Sequence, residues 1–479
     1  MALRSKSATY VLTVLLLCAA LSPILSCSGS SALDASDAGK SASYQPGVTS
    51  FDIEAVSLPA DSEAGFDLFI SIPPPSLTFT RELDGFRALF DVTARVSNRE
   101  SAEFVSEFAW SETTLVAEYD ATQKFEPLIL TKRILTQPGK YALEVLLEDR
   151  NSDQSATRSQ GLNVIDPAQK EPAIGRLLVQ SKHIDGRFWP QVSFHIPVGA
   201  ESLRCAVDVY NIPPNERLPV DIRILRFKAD TSLALPPHAY SIVPTPMGYG
   251  LVNLEKADTL TRVAMIASVA KRRQTLLYYI PPIREGLYRF DIRVTAQTTE
   301  GAASETSMVA SRFYSIKSRG YPKPVTLHDL IESAGYIATG IEMKTMWEGG
   351  PQIELRDRFE AFWLNLAKER TAATGLIRRY YSRVEEANRL FTTVREGWRT
   401  DRGMLYIVLG PPGEILNHLD TQTWYYNLSG GQLVNTYTFK RIIREGEGLS
   451  VEEYVLYRRA YYESFWDRMV GKWRGNETF

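Results

Sequence analysis

The hydrophobic period of this chain changes once, and that change divides it. Before the stretch Tyr321-Pro322-Lys323-Pro324, apolar residues recur at every second position; after it they recur at helical spacing. Period two puts alternate side chains on opposite faces of a strand, so a long run of such strands requires sheets packed face to face over a shared core. Phe66, Leu68, Ile70 and Ile72 alternate until Pro73-Pro74-Pro75 stops the strand. The residues 86–96 and Tyr141-x-Leu143-x-Val145 continue the pattern. A second segment then repeats the plan. Val192-x-Phe194-x-Ile196-Pro197 echoes Ile70-x-Ile72-Pro73, and Gly139-Lys-Tyr141-x-Leu143-x-Val145 is echoed by Gly286-Leu-Tyr288-x-Phe290-x-Ile292. Each copy is followed by a closing strand, at 162–165 and 313–316. The reading is two antiparallel, immunoglobulin-like β-sandwich domains over 51–166 and 167–320, separated at Asp166-Pro167.

The third part, 321–479, reads as an α+β domain. Thr326-Leu-His-Asp329 has the form of a capping box, with Leu327, Leu330, Ile331 and Ala334 on one face behind it. Leu355, Phe359, Phe362, Trp363 and Leu366 predict a second helix; Ile377, Tyr380, Val384, Ala387, Phe391 and Val394 predict a third, stopped at Gly397. The apolar run 404–409 has the length of a strand and is closed by Gly410-Pro411-Pro412-Gly413. Trp424-Tyr425-Tyr426 and Leu433-x-x-Thr436-Tyr437-Thr438-Phe439 flank Ser429-Gly430-Gly431 and predict a hairpin.

The N-terminus carries an address. Arg4 and Lys6 precede an apolar run at 10–17 that is too short to span a bilayer, and the sequence Leu21-Ser-Pro-Ile24-Leu25-Ser26-Cys27 is built like a lipobox. The expectation is a lipoprotein signal peptide over 1–27 with lipidation at Cys27, then a flexible tether over 28–50 rich in Ser, Ala, Gly and Asp. The membrane is thus an expected partner, through the lipid. Ser28 in place of an aspartate directs the expectation to the outer membrane, facing the periplasm. With Cys27 acylated and Cys18 removed, Cys205 is left alone and no intramolecular disulfide forms.

Charge excludes one class of partner. With 54 Lys+Arg against 56 Asp+Glu, no bulk positive field points to nucleic acid. Arg378, Arg379, Arg383 and Arg389 are interleaved with Glu385 and Glu386, as on a solvated, ion-paired helix face. The five histidines show no metal-ligand spacing, and the proline pair in Gly410-Pro411-Pro412-Gly413 removes the backbone donors a phosphate cradle needs. Cys205 and His195 fall in the second sandwich, where a lone cysteine is ordinarily a small buried hydrophobe. Asp401 and Glu414 lie too far apart across the intervening segment to work as a glycosidase pair. No catalytic residue, metal or cofactor is assigned.

One motif remains. Gly397-Trp398-Arg399-Thr400-Asp401-Arg402-Gly403, followed by an apolar segment and Gly410-Pro411-Pro412-Gly413-Glu414, resembles the signature of the GWxTD-domain family of bacterial envelope proteins. The resemblance implies architecture and address and brings no activity with it. Physically, Gly397 suits a left-handed helix stop, Trp398 suits packing back onto that helix, and Thr400 and Asp401 suit capping of the Arg402-Gly403 turn. On this structural reading Trp398→Ala is expensive and Asp401→Asn cheap. The functional alternative makes Trp398 a stacking platform and Asp401 an acid or a ligand. The function expected is a membrane-anchored, non-enzymatic envelope lipoprotein that engages a protein partner. The alternative is binding or hydrolysis of a cell-wall or surface polysaccharide, for which Trp398, Trp424 and Trp466 would supply ring faces.

Overall fold

The computed structural model describes the protein from Phe51 to Gly475 apart from short internal stretches, the longest of which are 240–251, 298–304 and 428–433. Cys27, the segment before it and the stretch 28–50 lie outside the described residues, as do Ser429, Gly430 and Gly431. The protein is mostly β-sheet, with a helical region near its C-terminus.

In the first β region, strands Asp52–Ser57, Gly65–Ile72 and Leu128–Leu135 form one antiparallel sheet. Strands Thr80–Glu82, Gly85–Asn98, Phe104–Val116, Gly139–Asp149 and Gln154–Val164 form the other. The alternating residues Phe66, Leu68, Ile70 and Ile72 of one sheet share a single core with Phe90, Val92, Ala94, Leu143 and Val145 of the other. The second β region repeats this with Val179, Cys205 and Val207 from one sheet against Ile222, Ile224, Phe290 and Ile292 from its partner. The Gly-x-Tyr echo is a real structural repeat. Gly139 and Gly286 both take positive φ, at 156° and 149°, and open strands Gly139–Asp149 and Gly286–Gln297. Two residues on, Tyr141 donates to the Gln137 carbonyl and Tyr288 to the Arg284 carbonyl, each at 2.8 Å.

One pairing departs from the antiparallel expectation. Strand His195–Pro197 runs parallel to the end of Glu305–Lys317. The chain arrives there from Phe188–Pro190, which belongs to the opposite sheet. It crosses between sheets instead of turning back in a hairpin, and the alternation of side chains carries no information about that direction. The two β regions are joined by a buried charge cluster. Glu54, fully buried in the first, pairs with Arg312 and Arg176 of the second.

The C-terminal region begins with α1 (Leu327–Ala334), capped by Thr326, whose hydroxyl accepts from the Asp329 amide at 3.1 Å. A full capping box forms one helix later, where Thr339 and Glu342 bond reciprocally at the start of α2 (Gly340–Trp347). Next come α3 (Gln352–Ala367), α4 (Arg370–Phe391), α5 (Asp401–Leu409) and, near the end, α6 (Glu463–Arg474). Between α5 and α6 lies an antiparallel sheet ordered Glu414–Asn417, Thr421–Asn427, Val434–Gly446, Leu449–Leu456. The expected hairpin is present, with Trp424 opposite Tyr437. Helices and sheet share one core: Phe391 of α4 lies 5.5 Å from Trp424 and 5.7 Å from Tyr406 of α5, centroid to centroid.

Two local expectations fail. Residues 404–409 form the body of helix α5, not a strand, and every residue of α5 is buried. A segment covered on all sides shows a continuous apolar run in either conformation, so length misled; Thr400 at its start and Gly410, at φ 88°, at its end are the helical punctuation. The third predicted helix ends at Phe391, so Val394 and Gly397 lie beyond it. Gly397 opens a short 3-10 turn, Gly397–Arg399, instead of stopping α4 in the left-handed region.

Candidate functional site

The motif folds as a tight turn laid against α4. A Cβ built on Gly397 would overlap the Ala387 carbonyl and stand 2.8 Å from the Asn388 Cα, so this glycine is required by close approach of two backbones. Gly403 has the same reason: a Cβ there would run into the Gly397 carbonyl. Asn388 of α4 stitches the turn in place, accepting from the Trp398 amide at 3.2 Å and donating to the Pro322 carbonyl at 2.8 Å. The indole of Trp398 is 1% exposed and belongs to the domain core, and its carbonyl accepts from the Tyr336 hydroxyl at 2.7 Å.

Thr400 is the N-cap of α5. Its hydroxyl accepts from the Gly403 amide at 3.0 Å and donates to the Gly397 carbonyl at 2.7 Å, tying both glycines into one unit. Asp401 caps nothing, contrary to expectation. Its carboxylate points away from the turn, accepts from the Leu456 amide at 2.8 Å and pairs with Arg458 at 2.6 and 3.2 Å. Arg402 lays its guanidinium over Tyr454 at 4.0 Å and Phe391 at 5.1 Å.

The charged groups of this site reach into the second β region. A strap at 230–237 follows strand Arg217–Ala229 and lies along the motif. Arg458, while held by Asp401, donates to the Leu235 carbonyl at 3.0 Å. Arg399 donates to the Thr231 carbonyl and pairs with both Glu332 and Glu396. Arg395 pairs with Asp230 at 3.3 Å, and Arg459 donates its amide to the Pro237 carbonyl at 3.1 Å. Ala234 of the strap is buried in the core of the C-terminal domain. The arrangement is a clamp: the turn orients two guanidiniums, and these hold the carbonyls of a neighbouring unit.

Other expected site residues fall elsewhere. Gly410 ends α5, where its carbonyl accepts from Tyr426 at 3.1 Å and Arg383 lies beneath it. Pro411 and Glu414 are exposed, and Glu414 starts the strand that pairs with Thr421–Asn427. Helix α5, about 13 Å long for nine residues, stands between Asp401 and Glu414, so the structure does not bring the two carboxylates together. Trp398, Trp424 and Trp466 are all buried and present no open ring face. His195 and Cys205 are buried as well; burial and the charge of Lys317 push the His195 imidazole down to about 3, and burial pushes the Cys205 thiol above its ordinary range. No group of three or more His, Cys, Asp or Glu among the described residues is placed to hold a metal. Sequence reasoning missed Arg399, the variable position of the motif, together with Arg458 and Asn388. A buried arginine leaves no periodic signal, and its acceptors lie up to 168 positions away.

Comparison with known proteins agrees on the C-terminal region. Residues 302–475 match the GWxTD domain family, the match beginning just before strand Glu305–Lys317 of the second β region. No curated protein matches the chain. Among solved structures it is similar to red sea bream transglutaminase at 10% identity and a TM-score of 0.17, over 56% of this chain and 31% of the other. The chain thus spans about a third of that enzyme's length. A second structure, titled pT26-6p, is similar at 9% identity and a TM-score of 0.17, over 76% of this chain and 85% of the other. At such scores neither likeness bears on fold or activity.

Proposed function

We propose that this chain, which belongs to the GWxTD-domain family through residues 302–475, is a lipid-anchored, non-enzymatic scaffold of the bacterial cell envelope. One observation carries the reading. The side chains of the motif are engaged in holding the domain together and in gripping the 230–237 strap of the second β region, which leaves them no free chemistry to offer a substrate. The motif then serves to fix two β modules rigidly to a C-terminal module. We read those modules as immunoglobulin-like sandwiches, because the bonds from Tyr141 and Tyr288 to carbonyls four residues upstream resemble the tyrosine corner of that fold. In this reading Cys27 carries the lipid, 28–50 is the tether, and the rigid array projects from the outer membrane into the periplasm toward a protein partner.

The test is affinity capture of the full chain from cross-linked native membranes, beside a Cys27→Ala variant. The expected result is a reproducible protein partner recovered with the chain, and release of the variant from the membrane fraction. A chain always recovered alone overturns the scaffold; a variant that stays bound through a high-salt wash overturns the anchor.

A further inference from the structure

The two β regions end their sheets at equivalent strands but protect those edges differently. In the second region, strand Val252–Ser268 ends one sheet and strand Gln274–Ile280 ends the other; among the described residues, no strand pairs with the outer side of either. Their counterparts in the first region are Phe104–Val116 and Leu128–Leu135. An edge strand offers unpaired amides and carbonyls to any extended chain, and charges turned inward guard against this. The first region has that guard: Glu112 and Lys132 stand opposite the core residues Phe90 and Leu68, and the Lys132 ammonium lies 5.2 Å from the Trp110 ring centroid. The second region lacks it. Its inward positions Thr261, Val263, Met265 and Ala267 stand opposite the core residues Ile224, Ile222, Val220 and Leu218, and on the facing edge Leu276 and Tyr278 stand opposite Val207 and Cys205. Between these edges opens a groove of about 140 Å³, where Met265 is 41% exposed over a buried floor of Val220 and Ile222.

The outer face of the same edge gives the charge of what it can take. Arg262 and Arg223 stand opposite one another and both pair with Asp221, which lies opposite Arg293 on the next strand. Arg289 and Asp291 pair beside them, so guanidiniums outnumber carboxylates around this edge. The Arg262 side chain, on the edge itself, is exposed. Leu260 is the extra residue of a bulge, which limits the regular edge to 261–268. We propose that 261–268 is the docking edge for an extended segment of a partner protein, in which apolar residues alternate with acidic ones. Its main chain bonds the edge as an added strand, its apolar side chains enter the groove beside Met265, and the acidic side chains between them meet Arg262. The proposal rests on the scaffold reading and names the surface and the chemistry through which a partner is held.

The experiment is fluorescence anisotropy of the full chain with a capped, labelled peptide Thr-Val-Glu-Val-Glu-Val-Glu-Val-Thr, beside one peptide with Lys for each Glu and another with Ser for each Val. The first peptide is expected to bind one to one and to slow hydrogen exchange of amides within 261–268, and the other two to bind about tenfold more weakly or less. Met265→Lys, which gives this edge an inward charge like that of the first β region, should weaken the first peptide about tenfold or more. Arg262→Glu should lose the Glu peptide and gain the Lys peptide, a reversal that an unfolded variant cannot show. Absence of saturable binding, unchanged affinity in Met265→Lys, no reversal in Arg262→Glu, or exchange protection at Phe104–Val116 instead of 261–268 overturns the proposal. So does a dimer in sedimentation that Met265→Lys dissociates, because a second molecule of this chain then takes the edge. The scaffold reading fails separately: a partner still captured from native membranes by the Met265→Lys chain overturns this edge alone, whereas a wild-type chain that binds the peptide but is recovered alone from membranes overturns the scaffold.

Discussion

Replacing Trp398 by alanine removes an indole that is 1% exposed at the point where the motif turn meets α4. An aromatic group enclosed this completely buries on the order of 200 Å². At about 25 cal/mol per Å² that is about 5 kcal/mol of transfer free energy, of which the alanine methyl retains a minor part. The cavity is lined by groups fixed from elsewhere: Asn388 is held by Pro322, and Tyr336 bonds the main chain of residue 398, which the substitution leaves in place. Collapse into the void is therefore restricted, and a loss of about 4 kcal/mol is expected, within the range for buried tryptophan. Loss of the Arg399 guanidinium stacked 3.9 Å from the indole adds to it. Against an ordinary domain stability of about 5–15 kcal/mol, the C-terminal domain should unfold at much lower denaturant than the wild type. The assay is urea denaturation followed by circular dichroism, with hydrogen exchange of α4 and α5 to assign the loss to this domain. A midpoint shift worth less than about 1 kcal/mol, below any buried-tryptophan cost, would refute the packing argument.

Asp401→Asn, inexpensive on sequence grounds, should instead cost about 3 kcal/mol, because it strips the partner from a largely buried arginine; Arg458 keeps its bond to Leu235, which holds the loss to the low end for such pairs, and the same urea melts measure it. Gly397→Ala should cost about 3 kcal/mol or more, since its methyl must displace the backbone of α4, and a soluble variant melting like the wild type would exclude that contact. Burial pushes the Lys317 ammonium from 10.5 down to about 8, against the charges of Glu396 and Glu285 that favour it. Between those pH values the unfolded chain binds a proton the folded chain has lost, so this group's contribution to stability rises with pH through the window and its penalty is complete below it, at about 3 kcal/mol. Lys317→Met should therefore exceed the wild type in stability at pH 7 and lose that advantage above pH 10.5, in denaturant melts across pH. Glu54→Gln leaves Arg312 and Arg176 without their carboxylate and should loosen the two β regions from one another, read as faster proteolysis near 166–172.

Much of the architecture was legible because it is written in local rules. Period two gave the strands, and the two Gly-x-Tyr stretches marked a repeat whose glycines and tyrosines play the same parts in both copies. Thr326 declared a helix start, and Thr400 a capped turn, by chemistry acting across three residues. The motif could be picked out as one structural unit, but the reason for its glycines could not: Gly397 is required by the backbone of α4, not by a left-handed turn of its own. Tertiary structure decided the rest. Residues 404–409 could not be told from a strand because burial on every side removes the amphipathic signal by which helix and strand are distinguished. The partners of Asp401 and Arg399 lie 57 and 168 positions away, and nothing in local spacing relates them. Lys317, a polar residue closing a strand in sequence, becomes largely buried only in the folded chain, where the second β region and the C-terminal domain meet around it. Propensity, period and capping act over a few neighbouring residues, whereas the charge partners and the enclosed space of this protein arise where distant segments meet, and only the folded chain determines which segments those are.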